Sequence, residues 1–151
     1  MKRNLIKVSL VLFCFFPAVF ASAHCQIPCG IYADDVVFGE LMTDVSTIEK
    51  AMKQIEVLGA DASENPNQLV RWVTNKEQHA QNIQTVMSAY FLAQRIKVDQ
   101  KESDPDAYAN LLELAHQVTV FAMKCKQTTD LGNAQKLHEA LHAFQAAYSG
   151  K

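Results

Sequence analysis

The densest group of chemically reactive side chains in this sequence lies in a short stretch near its start. An imidazole, two thiols and a proline fall within the six residues His24 to Cys29, and Gly30 and Tyr32 follow. In the middle of a chain, this spacing is typical of a small turn closed by a disulfide. The three residues before His24 read Ala-Ser-Ala, which is a site for signal peptidase. Cleavage after Ala23 would place a free α-amine beside the imidazole and the two thiols.

The residues ahead of this site have the pattern of a secretory signal. Lys2, Arg3 and Lys7 precede the 13-residue apolar stretch 8–20, which only Ser9 and Pro17 interrupt. A membrane-spanning helix needs about 20 apolar residues, so this stretch is too short to span. We therefore predict that signal peptidase removes residues 1–23. The protein is then expected to be exported, to the periplasm or outside the cell, with no membrane attachment after cleavage.

The remaining part of the chain has the length of one domain. Removing residues 1–23 from 151 leaves residues 24–151, or 128 residues, enough for a single hydrophobic core. The removed part takes three of the 14 Lys and Arg residues and none of the 16 Asp and Glu residues. The mature chain therefore carries 11 positive and 16 negative residues, a net charge of −5. This balance does not favour nucleic acid as a partner.

Apolar residues recur every three or four positions over four stretches, which predicts four amphipathic helices. The first covers 34–58, and Gly59 follows as a stop. The second begins at Asn65-Pro66 and extends to about Val98, the third follows the Ser-Asp-Pro-Asp start signal at 103–106, and the fourth follows 128–130. No alternating strand pattern of useful length is present. The predicted fold is all-α: an up-and-down four-helix bundle with an N-terminal metal-binding hook.

The residues predicted to face the core share this helical spacing. They are Val37, Leu41, Val45, Ile48, Met52, Ile55 and Leu58 in the first helix; Leu69, Val73, Ala80, Ile83, Met87 and Tyr90 in the second; Tyr108, Leu111, Ala115, Val118, Ala122 and Cys125 in the third; and Leu131, Ala134, Leu137, Leu141, Phe144 and Tyr148 in the fourth.

A cleaved N-terminus at His24 offers an unusual set of metal donors. The α-amine of His24, the amide nitrogen and sulfur of Cys25 and the sulfur of Cys29 can form a planar set of two nitrogens and two sulfurs. Such a set suits Ni(II) or Cu(II), whereas Zn(II) prefers tetrahedral sites. The His24 imidazole remains as an axial ligand. Because thiolates and an amidate stabilise a higher oxidation state, one-electron chemistry on a small anionic oxygen species becomes feasible.

The run His24-Cys25-Gln26-Ile27-Pro28-Cys29-Gly30-Ile31-Tyr32 resembles the N-terminal nickel-binding hook of nickel superoxide dismutases, whose pattern is H-C-x-x-P-C-G-x-Y. We call residues 24–32 the hook. The resemblance implies one nickel ion per subunit and assembly as a homohexamer. It also implies disproportionation of superoxide to O₂ and hydrogen peroxide through a Ni(II)/Ni(III) cycle.

The same resemblance implies roles for individual residues. His24, Cys25 and Cys29 would bind the metal and, with Tyr32 at the substrate approach, form the catalytic site. Pro28 would turn the hook back on itself.

Three further residues would support this site. Glu40 would hydrogen-bond the axial histidine, and Tyr90 would be a second tyrosine of the pocket. His79 stands where the best-known branch of the family has an arginine, and Gln26 stands where that branch has an aspartate. The change at His79 leaves the positive partner of Glu40 open, and the change at Gln26 removes a charge near the hook.

Two other interpretations compete with this one. His138-Glu139-Ala140-Leu141-His142 matches the H-E-x-x-H pattern of zinc metalloproteases. Only nine residues follow His142 and none is His, Asp or Glu, so a downstream third ligand is missing. The alternative of a different class is a secreted, non-catalytic four-helix protein that binds nickel or copper. The intact Pro-Cys-Gly-x-Tyr run favours the enzyme, because a carrier needs ligands but no substrate pocket.

Overall fold

A computed structural model of the chain describes residues 34–150. The predicted signal peptide 1–23 and the predicted site residues His24, Cys25, Pro28, Cys29 and Tyr32 lie outside the described residues.

The described part of the chain is helical and contains no strand, which confirms the all-α prediction. In chain order the elements are α1 (Asp34–Gly59), α2 (Pro66–Val86), a π-helical segment (Met87–Arg95), α3 (Gln100–Ser103), α4 (Pro105–Gln127) and α5 (Leu131–Tyr148). None of these helices is both long enough and apolar enough to cross a bilayer.

The helix starts follow the signals in the sequence. Pro105 is the first residue of α4, and the Asp104 carboxylate before it accepts a hydrogen bond from the Ala107 amide at 3.0 Å. Asp130 caps α5 in the same manner, accepting from the Gly132 amide at 2.9 Å. Each aspartate satisfies an amide that has no partner within its own helix.

The second predicted helix differs from expectation at its C-terminal end. Regular α-helix ends at Val86, the π-helical segment follows, and the backbone becomes extended at Ile96 rather than at Val98. The Ile96 amide donates to the Phe91 carbonyl, five residues back, at 2.9 Å. A pattern of apolar residues does not distinguish this wider winding from an α-helix, so the sequence alone did not predict it.

Each of the four long helices packs against two others. α1 packs against α2 and α5, and α4 packs against the same two helices. The core between them contains the predicted apolar residues with few exceptions. Val73 was predicted to be buried but is 39% exposed. Six further predicted core residues are only half-buried: Ile55, Leu58, Leu69, Tyr108, Leu131 and Tyr148.

Aromatic rings fill the end of the core at which α1 begins. Phe38, Phe91 and Phe144 are fully buried, and the rings of Phe91 and Phe144 meet edge to face with centroids 4.9 Å apart. Tyr148 packs on the same group, 5.4 Å from Phe91. Away from this end, Cys125 is a buried free thiol in α4, as predicted.

Candidate functional site

A group of four polar side chains lies at the first residue of α1, directly after the hook in the sequence. The carboxylate of Asp34 accepts hydrogen bonds from the hydroxyl of Tyr90, from Arg95 Nη2 at 2.9 Å and from the hydroxyl of Tyr148 at 2.8 Å. We call these four residues the Asp34 cluster. It connects the start of α1 to the π-helical segment and to the end of α5.

The π-helical winding brings two members of the cluster together. Tyr90 and Arg95 are five residues apart, and in an α-helix such residues point about 140° away from each other. The wider π turn brings them to the same side of the helix. Arg95 Nη2 then donates to the Tyr90 hydroxyl at 2.7 Å, and its guanidinium carbon lies 4.8 Å from the centre of the Tyr90 ring.

The cluster fixes the charge state of its members. Burial raises the pKa of Asp34, but hydrogen bonds from Tyr90 and Tyr148 and the charge of Arg95 outweigh it, so this pKa lies below its ordinary 3.8. Burial and the hydrogen bond to Asp34 raise the pKa of Tyr90 and that of Tyr148 above 10.0. At neutral pH the carboxylate is therefore ionised, and both phenols are neutral donors.

One polar atom of the cluster has no partner among residues 34–150. The Nε atom of Arg95 is buried and forms no hydrogen bond with the described residues. A buried donor without an acceptor normally costs stability, and residues 34–150 supply no acceptor for this atom.

The chain length limits how far the proposed metal ligands can lie from this cluster. Cys29 precedes Asp34 by five residues, and five extended residues span at most about 18 Å. Tyr32 precedes Asp34 by only two residues. The Asp34 cluster is therefore the described group closest in sequence to the hook.

Within residues 34–150, the supporting residues Glu40 and His79 form no hydrogen bond with each other. Glu40 is exposed on α1. His79 Nδ1 instead shares a 2.6 Å hydrogen bond with Oδ1 of Asp44, one turn further along α1. Asn82 donates to the other oxygen of Asp44 at 2.7 Å, and Asp44 is buried between α1 and α2.

Sequence reasoning missed four of these residues. Asp34 and Asp44 resemble ordinary helical acids, and Arg95 resembles a basic residue near a helix end. Tyr148 was predicted only as a core residue. Apart from the bond between Arg95 and Tyr90, which depends on the π turn, their contacts join residues 35 to 114 positions apart, so no local spacing could have indicated them.

The two histidines of the H-E-x-x-H motif lie on the surface of α5. His138 and His142 are both exposed on α5, beside a core stripe that includes Leu137 and Leu141, and their ring centroids are 4.5 Å apart. Within residues 34–150, no three His, Cys, Asp or Glu side chains are grouped so that they could hold a metal ion.

Residues 34–150 form an all-helical body, and a segment rich in thiols and imidazole precedes its first helix in the sequence. Residues 19–151 match the family model described as nickel-containing superoxide dismutase, and the chain belongs to that family. It is therefore a nickel-dependent oxidoreductase whose substrate is superoxide. No curated protein and no solved structure matches the chain.

Proposed function

We propose that the nickel ligands are supplied by His24, Cys25 and Cys29 after cleavage between Ala23 and His24. The observation that carries this proposal is the family match over 19–151, which includes the complete hook motif. The donors of the motif fit nickel, because two thiolates with nitrogen donors in a plane suit a square-planar ion. When bound, nickel supplies one-electron exchange between Ni(II) and Ni(III).

The protein residues around this centre must then bring in an anion and protons. The overall reaction, 2 O₂⁻ + 2 H⁺ → O₂ + H₂O₂, consumes two protons for every two superoxide ions. We propose that Tyr32 and Tyr90 border the substrate approach and order the water that supplies these protons. Tyr90 suits this role because its hydroxyl is neutral and hydrogen-bonded at physiological pH.

Glu40 is proposed to orient the imidazole of His24, which would help to hold the nickel. Its carboxylate is exposed on α1, six residues after Asp34, and so is accessible to the N-terminal segment. Where the best-known branch has an arginine, His79 here bonds to Asp44, one helical turn beyond Glu40. We therefore propose that Glu40 acts without a positive partner from His79, whose ring is bonded to Asp44 instead.

The four long helices are proposed to form an up-and-down bundle that assembles into a homohexamer with hooks near the subunit contacts. The cyclic packing of α1, α2, α4 and α5 supports the bundle. Apolar surface is available beside the Asp34 cluster for a neighbouring subunit, because Val36 is 51% exposed and Leu92 is 41% exposed. Sedimentation of the nickel-loaded mature protein tests the assembly: a fully active monomer would contradict it.

The proposed domain boundaries follow from the cleavage site. Residues 1–23 are a signal removed by signal peptidase, residues 24–151 form the dismutase domain, and the protein acts in the periplasm or outside the cell. The apolar stretch 8–20 and the Ala-Ser-Ala sequence support this proposal. Intact mass of the exported protein should correspond to a chain that begins at His24.

The experiment that tests the ligand set compares two forms of the mature protein. One begins at His24, and the other retains Ala23 as a single extra residue. The first should bind one nickel per chain and dismutate superoxide. The second should be inactive, because its α-amine is moved away from the chelate. Full activity of the form that retains Ala23 would refute the proposed coordination.

A further inference from the structure

Asp34 occupies the point at which the hook joins the helical body. It is the first residue of α1, and its carboxylate accepts hydrogen bonds from three side chains that belong to two distant elements. The first core residues of α1 are Val37 and Phe38, both buried. Asp34 is therefore the earliest described residue through which the chain is held to the rest of the protein by side-chain hydrogen bonds.

The cluster adds hydrogen bonds to an end of the core that apolar packing already closes. Phe38, Phe91 and Phe144 already close the core beneath it. The side chains of Asp34 and Arg95 are 31% and 27% exposed, so their ion pair is partly screened by solvent. The arrangement also depends on a π-helical turn and leaves Arg95 Nε without a partner among the described residues. Such local departures from regular structure are frequent at functional sites.

We propose that Asp34 is a positioning residue of the nickel site. Its carboxylate orients the hydroxyl of Tyr90 and fixes the start of α1, so that the chain bearing Cys29 joins the body beside that hydroxyl. The proposal rests on the ligand set proposed above. Asp34 acts through Tyr90 and through the backbone and does not itself touch nickel or superoxide.

The number of residues between Cys29 and the first held residue of α1 limits how far Cys29 can lie from the helical body. With Asp34 held, five residues separate Cys29 from the body, which limits their separation to about 18 Å. Without it, the first turn of α1 can fray to Val37, and eight residues give a limit of about 29 Å. The volume that the chain ahead of α1 can reach then grows, and the effective concentration of Cys29 at Tyr90 falls with it.

The test compares Asp34→Asn with Asp35→Asn, both in the nickel-loaded mature protein. The two changes remove the same charge from adjacent residues. Asp35 is exposed and forms no side-chain hydrogen bond with the residues that the structure describes, so it is a matched control. The readouts are amide hydrogen exchange of the peptide covering 24–36, nickel content and dismutation rate.

We expect exchange in this peptide to be about tenfold faster in Asp34→Asn than in Asp35→Asn. Tenfold corresponds to about 1.4 kcal/mol, the size of one hydrogen bond to a charged group. The dismutation rate should fall several-fold while nickel content stays unchanged, because the ligands themselves are intact. Equal exchange and equal rates in the two variants would overturn the proposal.

A second variant keeps the test decisive if Asp34→Asn fails to fold. Tyr148→Phe removes one donor to Asp34 and leaves Tyr90 in place, so it should show a smaller increase in exchange in the same peptide. Unchanged exchange in a folded Tyr148→Phe would then overturn the proposal. Failure of the ligand set is separately visible: the unaltered chain beginning at His24 would bind no nickel. The exchange comparison in the metal-free chains would still test Asp34.

Discussion

Two charged residues anchor different parts of the second helix, and they do so in different ways. Lys76 lies in regular α-helix and is buried, whereas Asp34 contacts the π-helical segment 14 residues beyond Lys76, about 20 Å further along the axis. Lys76 Nζ donates to the carbonyls of Cys125 and Lys126 at 2.6 and 2.5 Å, and to Glu77 at 3.2 Å. Its three N–H donors therefore all have acceptors.

The two groups differ in whether all of their polar atoms have hydrogen-bond partners among residues 34–150. Lys76 places a positive charge on the last carbonyls of α4, which have no partner within that helix and lie at its negative end. The Asp34 cluster instead retains a buried Nε without a partner among the described residues, partial exposure and irregular winding. Complete satisfaction indicates a site that serves stability. We infer that the Asp34 cluster, which holds the first residue of α1, is constrained by more than stability.

The largest expected effect comes from breaking the Lys76 contacts. Lys76→Met keeps the apolar stem but removes the ammonium group, leaving two buried carbonyls without their charged donor. We expect the free energy of unfolding to fall by about 3 kcal/mol, measured by urea denaturation. Nickel content per folded chain should not change, because Lys76 is far from the hook's junction. Lys126→Met removes a side-chain bond to Gln81 that is exposed, and it should cost less than about 0.5 kcal/mol. Equal losses of unfolding free energy in Lys76→Met and Lys126→Met would contradict a structural role specific to the Lys76 ammonium group.

Tyr148→Phe is expected to have an intermediate effect on stability. It removes one hydrogen bond of 2.8 Å to Asp34 while the ring and its packing remain, so unfolding should become easier by about 1 kcal/mol. Tyr108→Phe is the control, since Tyr108 is half-buried and its hydroxyl forms no hydrogen bond with the described residues. A stability loss in the control as large as in Tyr148→Phe would show that the bond to Asp34 is not responsible.

The contribution of the Asp34 cluster to the free energy of unfolding should depend on pH. The pKa of Asp34 is lowered by folding, so its contribution is present above pH 3.8 and is lost as the pH falls through the folded-state value. The pKa of Tyr90 and that of Tyr148 are raised, so their contribution is present below pH 10.0 and is lost as the pH rises beyond it. Urea midpoints measured against pH should decline at both limits, and Tyr148→Phe should show a shallower alkaline decline. An unchanged alkaline slope in that variant would count against the bond.

The smallest expected effect is at the H-E-x-x-H residues. His138→Ala combined with His142→Ala removes two exposed imidazoles from α5. Nickel content and dismutation rate should stay within error of the unaltered protein. A loss of either would show that the pair takes part in metal handling, which the hook alone is proposed to perform.

The parts of the fold that were predicted from the sequence depend on local chemistry. Pro66, Pro105 and Asp130 mark helix starts because a missing amide or a capping carboxylate acts within one turn. The spacing of apolar residues likewise identified most of the core. The prediction that Val73 is buried was wrong, because the apolar stripe of α2 is wider than the face that the other helices cover.

The candidate site was predictable only in part. The hook is a continuous motif, so its chemistry could be inferred from residue types and spacing. The Asp34 cluster joins residues 56, 61 and 114 positions apart, and its geometry depends on a π turn that leaves no trace in apolar periodicity. The role of Lys76 was not predicted, because nothing local shows that its ammonium group ends on α4.

The burial of Cys125 has a consequence for how long the enzyme survives its own product. Hydrogen peroxide attacks the thiolate form of cysteine rather than the thiol. Burial, despite the nearby charge of Lys76, raises the pKa of Cys125 to about 11. At neutral pH only about one such group in ten thousand is ionised. The protein thus releases hydrogen peroxide while the thiol in its own core stays unreactive towards it. Oxidative damage should therefore begin elsewhere in the chain.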